Sequence, residues 1–236
     1  MKGNNTIPAR QPPLRQGIDH LLFGAADLAS GAARASDLLG AAPTAGGRHP
    51  GQGTENALLA LQGECYFEVI APVQNDPSTS PIRAELEAYK TPGLFRWCWR
   101  PDNLESARAR LSDAGIPVSQ IISGSRKAPE GKTLNWRLVF LQTEEFGRTL
   151  PFLIDWQDTE HPSSSGKSAG HLETLTLAHP DAPALRSLIG AIGAENCVDV
   201  TQARHPQITA RITRRDATTV EITSPRSTPV SSAAFS

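Results

Sequence analysis

The chain has 236 residues, of which 39% are apolar and 20% charged, and a formal net charge of -1. That apolar share supports a real core and excludes disorder throughout. The near-neutral balance excludes a general nucleic-acid binder, which needs a strong basic excess. No stretch approaches the ~20 apolar residues of a membrane span, and the opening MKGNNTIPARQPPLRQ lacks the apolar core of a secretory signal. Cys65, Cys98 and Cys197 form no C-x-x-C pair, so no disulfide framework is indicated and a cytoplasmic protein is expected. Arg outnumbers Lys 18 to 5; solvated surface arginines are the simpler reading, but an anion-contacting pocket is the other.

Residues 1–15, polar and Pro-bearing, read as a loose arm. Three segments then repeat one pattern: a short apolar strand, an Asp, and an amphipathic stretch ending at Gly. They are IDHLLFGAADLASGAARASDLLG, FRWCWRPDNLESARARLSDAG and LETLTLAHPDAPALRSLIGAIG. Asp27, Asp102 and Asp181 stand where helix N-caps belong, and Gly40, Gly115 and Gly193 where a positive φ ends a helix. Asp102 and Glu105 have capping-box spacing.

Three strand-like runs follow each helix. They are Gly46 to His49, NALLALQ and CYFEVIA; then PVSQIIS, LNWRLVFL and LPFLIDW; then CVDVTQA, ITARITRR and TTVEITS. This predicts βαβββ units at 16–74 and 93–158, whose sheets can pair into a curved surface with helices outside. A linker at 163–169, a third βαβββ-like unit at 170–225 and a Ser/Pro/Ala tail at 226–236 complete the chain. The third unit needs a cover, either the front of the chain or a second copy in a homodimer.

Within LNWRLVF, alternation puts Trp136 on one face and Arg137 with Val139 on the other. An arginine among apolar neighbours must find an anion. Arg137 is therefore either a grip on a ligand's carboxylate or carbonyl, or half of a salt bridge to Asp155 or Glu68. Trp97, Trp136 and Trp156 are candidate walls of a ligand cavity, with core packing as the alternative. His49 lies in the Gly/Pro-rich RHPG stretch, and His161 opens the linker.

GIDHLLFGAADL resembles the first strand and helix start of the vicinal oxygen chelate superfamily, which includes glyoxalase I, extradiol dioxygenases and bleomycin-resistance proteins. GGRHPGQGTENALLAL, YFEVIAP, NWRLVF and PFLIDW are similar to its glyoxalase-like domain proteins. The resemblance covers about Gly17 to Pro162. It implies an α+β fold of curved mixed sheets around a ligand cavity, and a divalent metal (Zn, Ni, Mn or Fe) held by His20 and Glu68, polarising a substrate's neighbouring oxygens. His49 is the best local third donor.

The second unit offers Phe95 or Arg96 where the His belongs. Leu153 lies opposite Glu68, with Asp155 two residues on. The third unit offers Thr174 for the His and keeps an acid, Glu221. The expected function is binding of a small oxygenated organic molecule with metal-assisted isomerase or lyase chemistry. Glu68, or a bound water, would act as base and Arg137 would steady an oxyanion. The alternative is a metal-free sequestering protein; a purely structural role for residues 170–225 is weaker. No nucleic-acid or membrane partner is expected.

Overall fold

The structure, a computed structural model, describes residues 17–128, 131–164 and 168–225. The expected arm and tail, and part of the linker, lie outside these.

The first unit comprises β1 (Gly17–Gly24), α1 (Leu28–Leu39), β2 (Thr44–His49), β3 (Thr54–Leu61) and β4 (Cys65–Pro72). Asp27 caps α1 by accepting from the Ser30 backbone N–H at 2.8 Å, and Gly40 ends it at φ 67°. Ala35 and Leu39 turn from the helix into the core. A short helix absent from the expected pattern, α2 (Pro81–Glu87), follows; Ser80 caps it and Pro81 opens it.

The second unit comprises β5 (Gly93–Arg100), α3 (Leu104–Asp113), β6 (Ile122–Lys127), β7 (Thr133–Phe140) and β8 (Phe152–Asp155). Its helix is capped by Asn103, not Asp102: Asn103 Oδ1 accepts from the Ser106 N–H at 2.8 Å. The two residue types cap equally well. The shift moves Glu105 out of a capping box. Strand β6 begins later than PVSQIIS suggests, because Val118 makes only an isolated bridge to Leu141.

In each of these two units the last strand lies parallel to the first, and β1 runs antiparallel to β5. The result is an eight-stranded sheet of order β2-β3-β4-β1-β5-β8-β7-β6. It curls until its end strands touch, with Arg126 Nη1 on β6 donating to the Gly46 carbonyl on β2 at 2.6 Å. This is the mixed, curved α+β architecture expected.

The third unit has β9 (Gly170–His179), α4 (Ala182–Ile192), β10 (Asp199–Gln202), β11 (Gln207–Arg214) and β12 (Thr219–Thr223). The element order recurs but the sheet order does not. It is β10-β9-β11-β12, so the last strand is at an edge and not beside the first. With no sister unit to pair with, β9 takes β10 on one side and β11 on the other. Glu221 therefore stands opposite Arg211 on an edge strand and is no counterpart of Glu68.

One buried cluster joins Phe23, Phe67 and Trp97 of the large sheet to Leu39 and Leu111 of the helices and to Leu177, Leu185 and Ile212 of the third unit. The front of the chain thus covers the third unit's apolar face. Among the described residues, no helix is long and apolar enough to cross a membrane.

Candidate functional site on the concave face

The site begins with an irregularity in β1. Pairing with β5 shifts between Ile18 and His20, leaving Asp19 as the extra residue of a bulge. In a regular strand Asp19 and His20 would face opposite ways. The bulge re-aims Asp19, and its carboxylate meets the His20 ring. Asp19 is fully buried. Its oxygens meet His20 Nδ1 at 2.7 Å, Arg100 Nη1 at 2.9 Å, Trp156 Nε1 at 3.1 Å and His161 Nε2 at 3.1 Å. Burial alone would raise the Asp19 pKa. Hydrogen bonds from His161 and His20 outweigh burial and hold the carboxyl well below the usual carboxylate range.

With Nδ1 committed to Asp19, His20 turns Nε2 toward Glu68 Oε2, 3.5 Å away. The Tyr66 ring stacks on His20 at 4.5 Å between centroids. Glu68 Oε1 accepts from Asn56 Nδ2 at 2.6 Å, and that nitrogen lies 3.4 Å from His49 Nε2. His49 closes strand β2 rather than sitting in a loop, and its Nδ1 meets Thr54 Oγ1 at 2.9 Å. Burial lowers the His49 pKa; Glu68 pulls the other way, while Arg126 and His20 add to the lowering, so the neutral imidazole is favoured. A buried polar chain therefore runs His161–Asp19–His20–Glu68–Asn56–His49 across the sheet.

Trp136 and Trp156 join this face, packed with Tyr66 and Cys98 and with their rings 5.9 Å apart. Two expected members are elsewhere. Trp97 points with Trp99 into the helix-covered core, where its Nε1 donates to the Thr149 carbonyl at 2.9 Å. Arg137 faces α3: Nε donates to Asp155 Oδ2 at 3.1 Å, and Nη1 reaches Glu105. It takes the salt bridge and not the ligand role, because its face of β7 is the one the helix covers. Asp155 is spent on the same contact.

A cavity of about 100 Å3 lies at the seam where the sheet's ends meet; Gly46, Leu58, Arg126, Leu134, His161 and Pro162 are among its walls. His20 and Glu68, 3% and 5% exposed, are not among them. Tyr66 and Phe152 pack against His20. Farther along the face, Leu86 and Tyr89, from α2 and just after it, fill the space beside Leu22, Ile70 and Phe95. The expected hollow with an imidazole and a carboxylate as its open floor is thus narrowed to the seam.

The sheet register also decides what stands opposite the His20–Glu68 pair. The caps differ by 103 − 27 = 76, which equates His20 with Arg96 and Leu22 with Cys98. Glu68 lies beside Leu22, and Phe152 beside Cys98. The second unit therefore presents Arg96 and Phe152, not Phe95 and Leu153. Arg96 is held by Glu85 at 3.0 Å, and Phe152 lies edge-on to His20.

Asp19, His20 and Cys98 also lie close enough together to suggest a metal. Asp19, however, is occupied by four nitrogen donors, and burial pushes the Cys98 thiol pKa far up, keeping the proton on. Only His20 Nε2 and Glu68 remain as facing donors, with the Asn56 amide between Glu68 and His49. A catalytic metal takes at least three protein ligands. These residues do not fit the metal the resemblance implies.

Sequence reasoning missed Asp19, Asn56, Tyr66, Arg100 and Arg126. An Asp inside the apolar strand GIDHLLFG was the available signal, since a buried carboxylate must be paired.

Two βαβββ halves joined through their first strands into one curled sheet define the vicinal oxygen chelate class of fold. The chain belongs to the glyoxalase-like domain family, whose model matches residues 18–193. Among curated proteins no sequence matches. A hypothetical protein from Staphylococcus aureus is similar in structure, with a TM-score of 0.62 and 15% identity over 88% of this chain and 85% of that one. Methylmalonyl-CoA epimerase from Mycobacterium tuberculosis gives a TM-score of 0.44 and 24% identity over 58% of this chain and 85% of that one. A Streptomyces coelicolor methylmalonyl-CoA epimerase variant in complex with 2-nitronate-propionyl-CoA gives 0.47 and 19%, over 63% and 100%. The first likeness is one of fold; the two epimerase likenesses, with TM-scores under 0.5, add nothing to it.

Proposed function

We propose that the chain binds a small oxygenated organic molecule in the seam cavity of the eight-stranded sheet, without a metal. The observation that carries the metal-free reading is the pairing of His20 and Glu68 with Arg96 and Phe152, which leaves a two-donor set. The test is metal analysis of protein purified without chelator, together with melting curves in methyl 2-oxobutyrate, a neutral keto ester. The expected result is substoichiometric metal and a raised melting temperature, with the rise retained in a His20→Ala/Glu68→Ala variant. Stoichiometric metal that this variant loses while still folded overturns it.

The polar chain favours a second, catalytic reading. His161 lines the cavity, and Asp19 links it to His20 and so to Glu68. Such a chain can hold or move a proton at the cavity wall, as an isomerase acting beside a carbonyl requires. The measurement is deuterium uptake from D2O at the C3 position of the same keto ester, followed by proton NMR. Catalysed uptake falling by about 10²–10⁴ in His161→Gln supports an enzyme. Uptake no faster than in buffer leaves binding alone.

A further inference from the structure

Most arginines packed around the large sheet hold an acid. Arg96 and Arg148 hold Glu85, Arg100 holds Asp19 and Glu64, and Arg137 holds Asp155 and Glu105. Arg126 differs. It is 5% exposed, yet no carboxylate of the described residues lies within 4.0 Å of its guanidinium. Its Nη1 donates to the Gly46 carbonyl, which is neutral and uses one of five N–H groups. A buried charge without a counter-charge is costly, and this one lines the seam cavity. The acid lining the same cavity, Glu160, is already taken by Lys132 Nζ at 2.7 Å and Ser164 Oγ at 2.8 Å.

A second unmet group lies next to it. Asn56 Nδ2 is fixed on Glu68, which turns Oδ1 the other way, where it is buried with no partner. That oxygen sits against Gly46, a residue of the cavity wall: a Cβ there would stand 2.1 Å from it. Asn56 is not itself a wall of the cavity, so the group that faces the cavity is the buried cation, Arg126. A buried guanidinium to which the chain gives no acid calls for an anion from outside it.

We propose that the ligand of this cavity is a small organic carboxylate whose anionic group pairs with Arg126. The proposal rests on the cavity reading above and adds the ligand's charge and class. A guanidinium presents parallel N–H groups that match a carboxylate's two oxygens. One water needs about 10–15 Å3, so a cavity of about 100 Å3 holds a carboxylate on a short carbon chain.

The test is calorimetric titration of the full chain with pyruvate and 2-oxobutyrate, each against its own methyl ester, which removes the charge and keeps the keto group. The parent protein is expected to bind each acid about ten- to a hundredfold more tightly than its ester, the span of one charge-assisted contact. Arg126→Gln is expected to erase that preference while leaving ester binding in place, and Arg126→Lys to restore part of it. Acid and ester bound equally by the parent overturns the carboxylate proposal and leaves the cavity reading standing. Neither bound at millimolar concentration overturns both. The preference for acid over ester is read on the unaltered chain, so a misfolded Arg126→Gln does not spoil the test.

Discussion

Between residues 17–72 and 93–155 the backbone takes the same path twice, and it is the first pass that sets an imidazole beside a carboxylate on the concave face. Where β1 and β4 bring His20 and Glu68 together, β5 and β8 bring Arg96 and Phe152. Arg96 is drawn off toward Glu85 of α2. The duplication therefore fixes a scaffold and leaves the chemistry to a few positions. The halves are also bound to each other through the first one's charge. Asp19 of β1 receives Arg100 from β5 and Trp156 from the end of β8.

That joint is where the comparison can be broken most severely. Asp19→Asn keeps the shape but removes the charge that Arg100 and the two histidines face. Breaking a buried ion pair from one side costs about 3–5 kcal/mol, and urea unfolding should show a loss of that size. The sign with pH follows from the carboxyl being held below its ordinary range. Its contribution is present at neutral pH, persists down to the unfolded value of about 4, and is lost as pH falls further toward the folded value. The parent should lose stability steeply below about pH 4, and the variant should lack that part of the slope.

The seam is the next most sensitive place. Gly46→Ala puts a Cβ 2.1 Å from Asn56 Oδ1 and 3.1 Å from the Asn56 carbonyl. Neither atom can move without disturbing Glu68 or the β2–β3 ladder. A loss of about 1–3 kcal/mol is expected, as for overpacked cores, with weaker ligand binding. The same change at Gly190 in α4, where nothing lies within 4 Å, is expected to stabilise by about 0.4–1 kcal/mol.

The missing pair in the second half can be supplied. Arg96→His with Phe152→Glu adds a histidine and a carboxylate at the positions related to His20 and Glu68, completing a four-donor set. Zinc affinity by calorimetry should rise at least about tenfold over the parent, because closed four-ligand sets hold zinc far better than two donors. No gain would mean that the register-derived equivalence does not bring the four groups to one point.

Much of this was legible in the sequence, and the failures have a physical pattern. Helix caps and strand-forming runs are local, so Asp27, Gly40, Gly193 and nearly every strand stood where the repeat put them. His20 and Glu68 lie 3.5 Å apart on the neighbouring strands that the resemblance implied. What period-two reading could not see was the pair of bulges in β1 and β5. One re-aimed Asp19 into the site, and the other set Phe95 apart from the core cluster that holds Leu94, Trp97 and Trp99. A single extra residue reverses every inside-outside assignment beyond it. The Asp102-for-Asn103 slip left Phe95 and Arg96 both open as the counterpart of His20, and the observed cap selects Arg96. Arg126 was hidden for another reason. Its environment comes from β2, the far edge of the sheet, which only curling brings near.

The smallest expected effect falls on Arg137, for which alternation left open a grip on a ligand or a salt bridge. Its partners Asp155 and Glu105 lie on the helix-covered side and are themselves 30% and 50% exposed. Ion pairs so open to water contribute about 0–1 kcal/mol. Arg137→Gln should therefore cost less than about 1 kcal/mol in unfolding and leave 2-oxobutyrate affinity unchanged, in contrast to Arg126→Gln one strand away. The two arginines lie on neighbouring strands, β7 and β6, of the same half. They differ in which face they occupy and in whether the protein has already given them an acid. A drop in affinity for Arg137→Gln as large as that for Arg126→Gln would mean that charge anywhere on this half attracts the ligand, and that the buried position of Arg126 confers nothing specific.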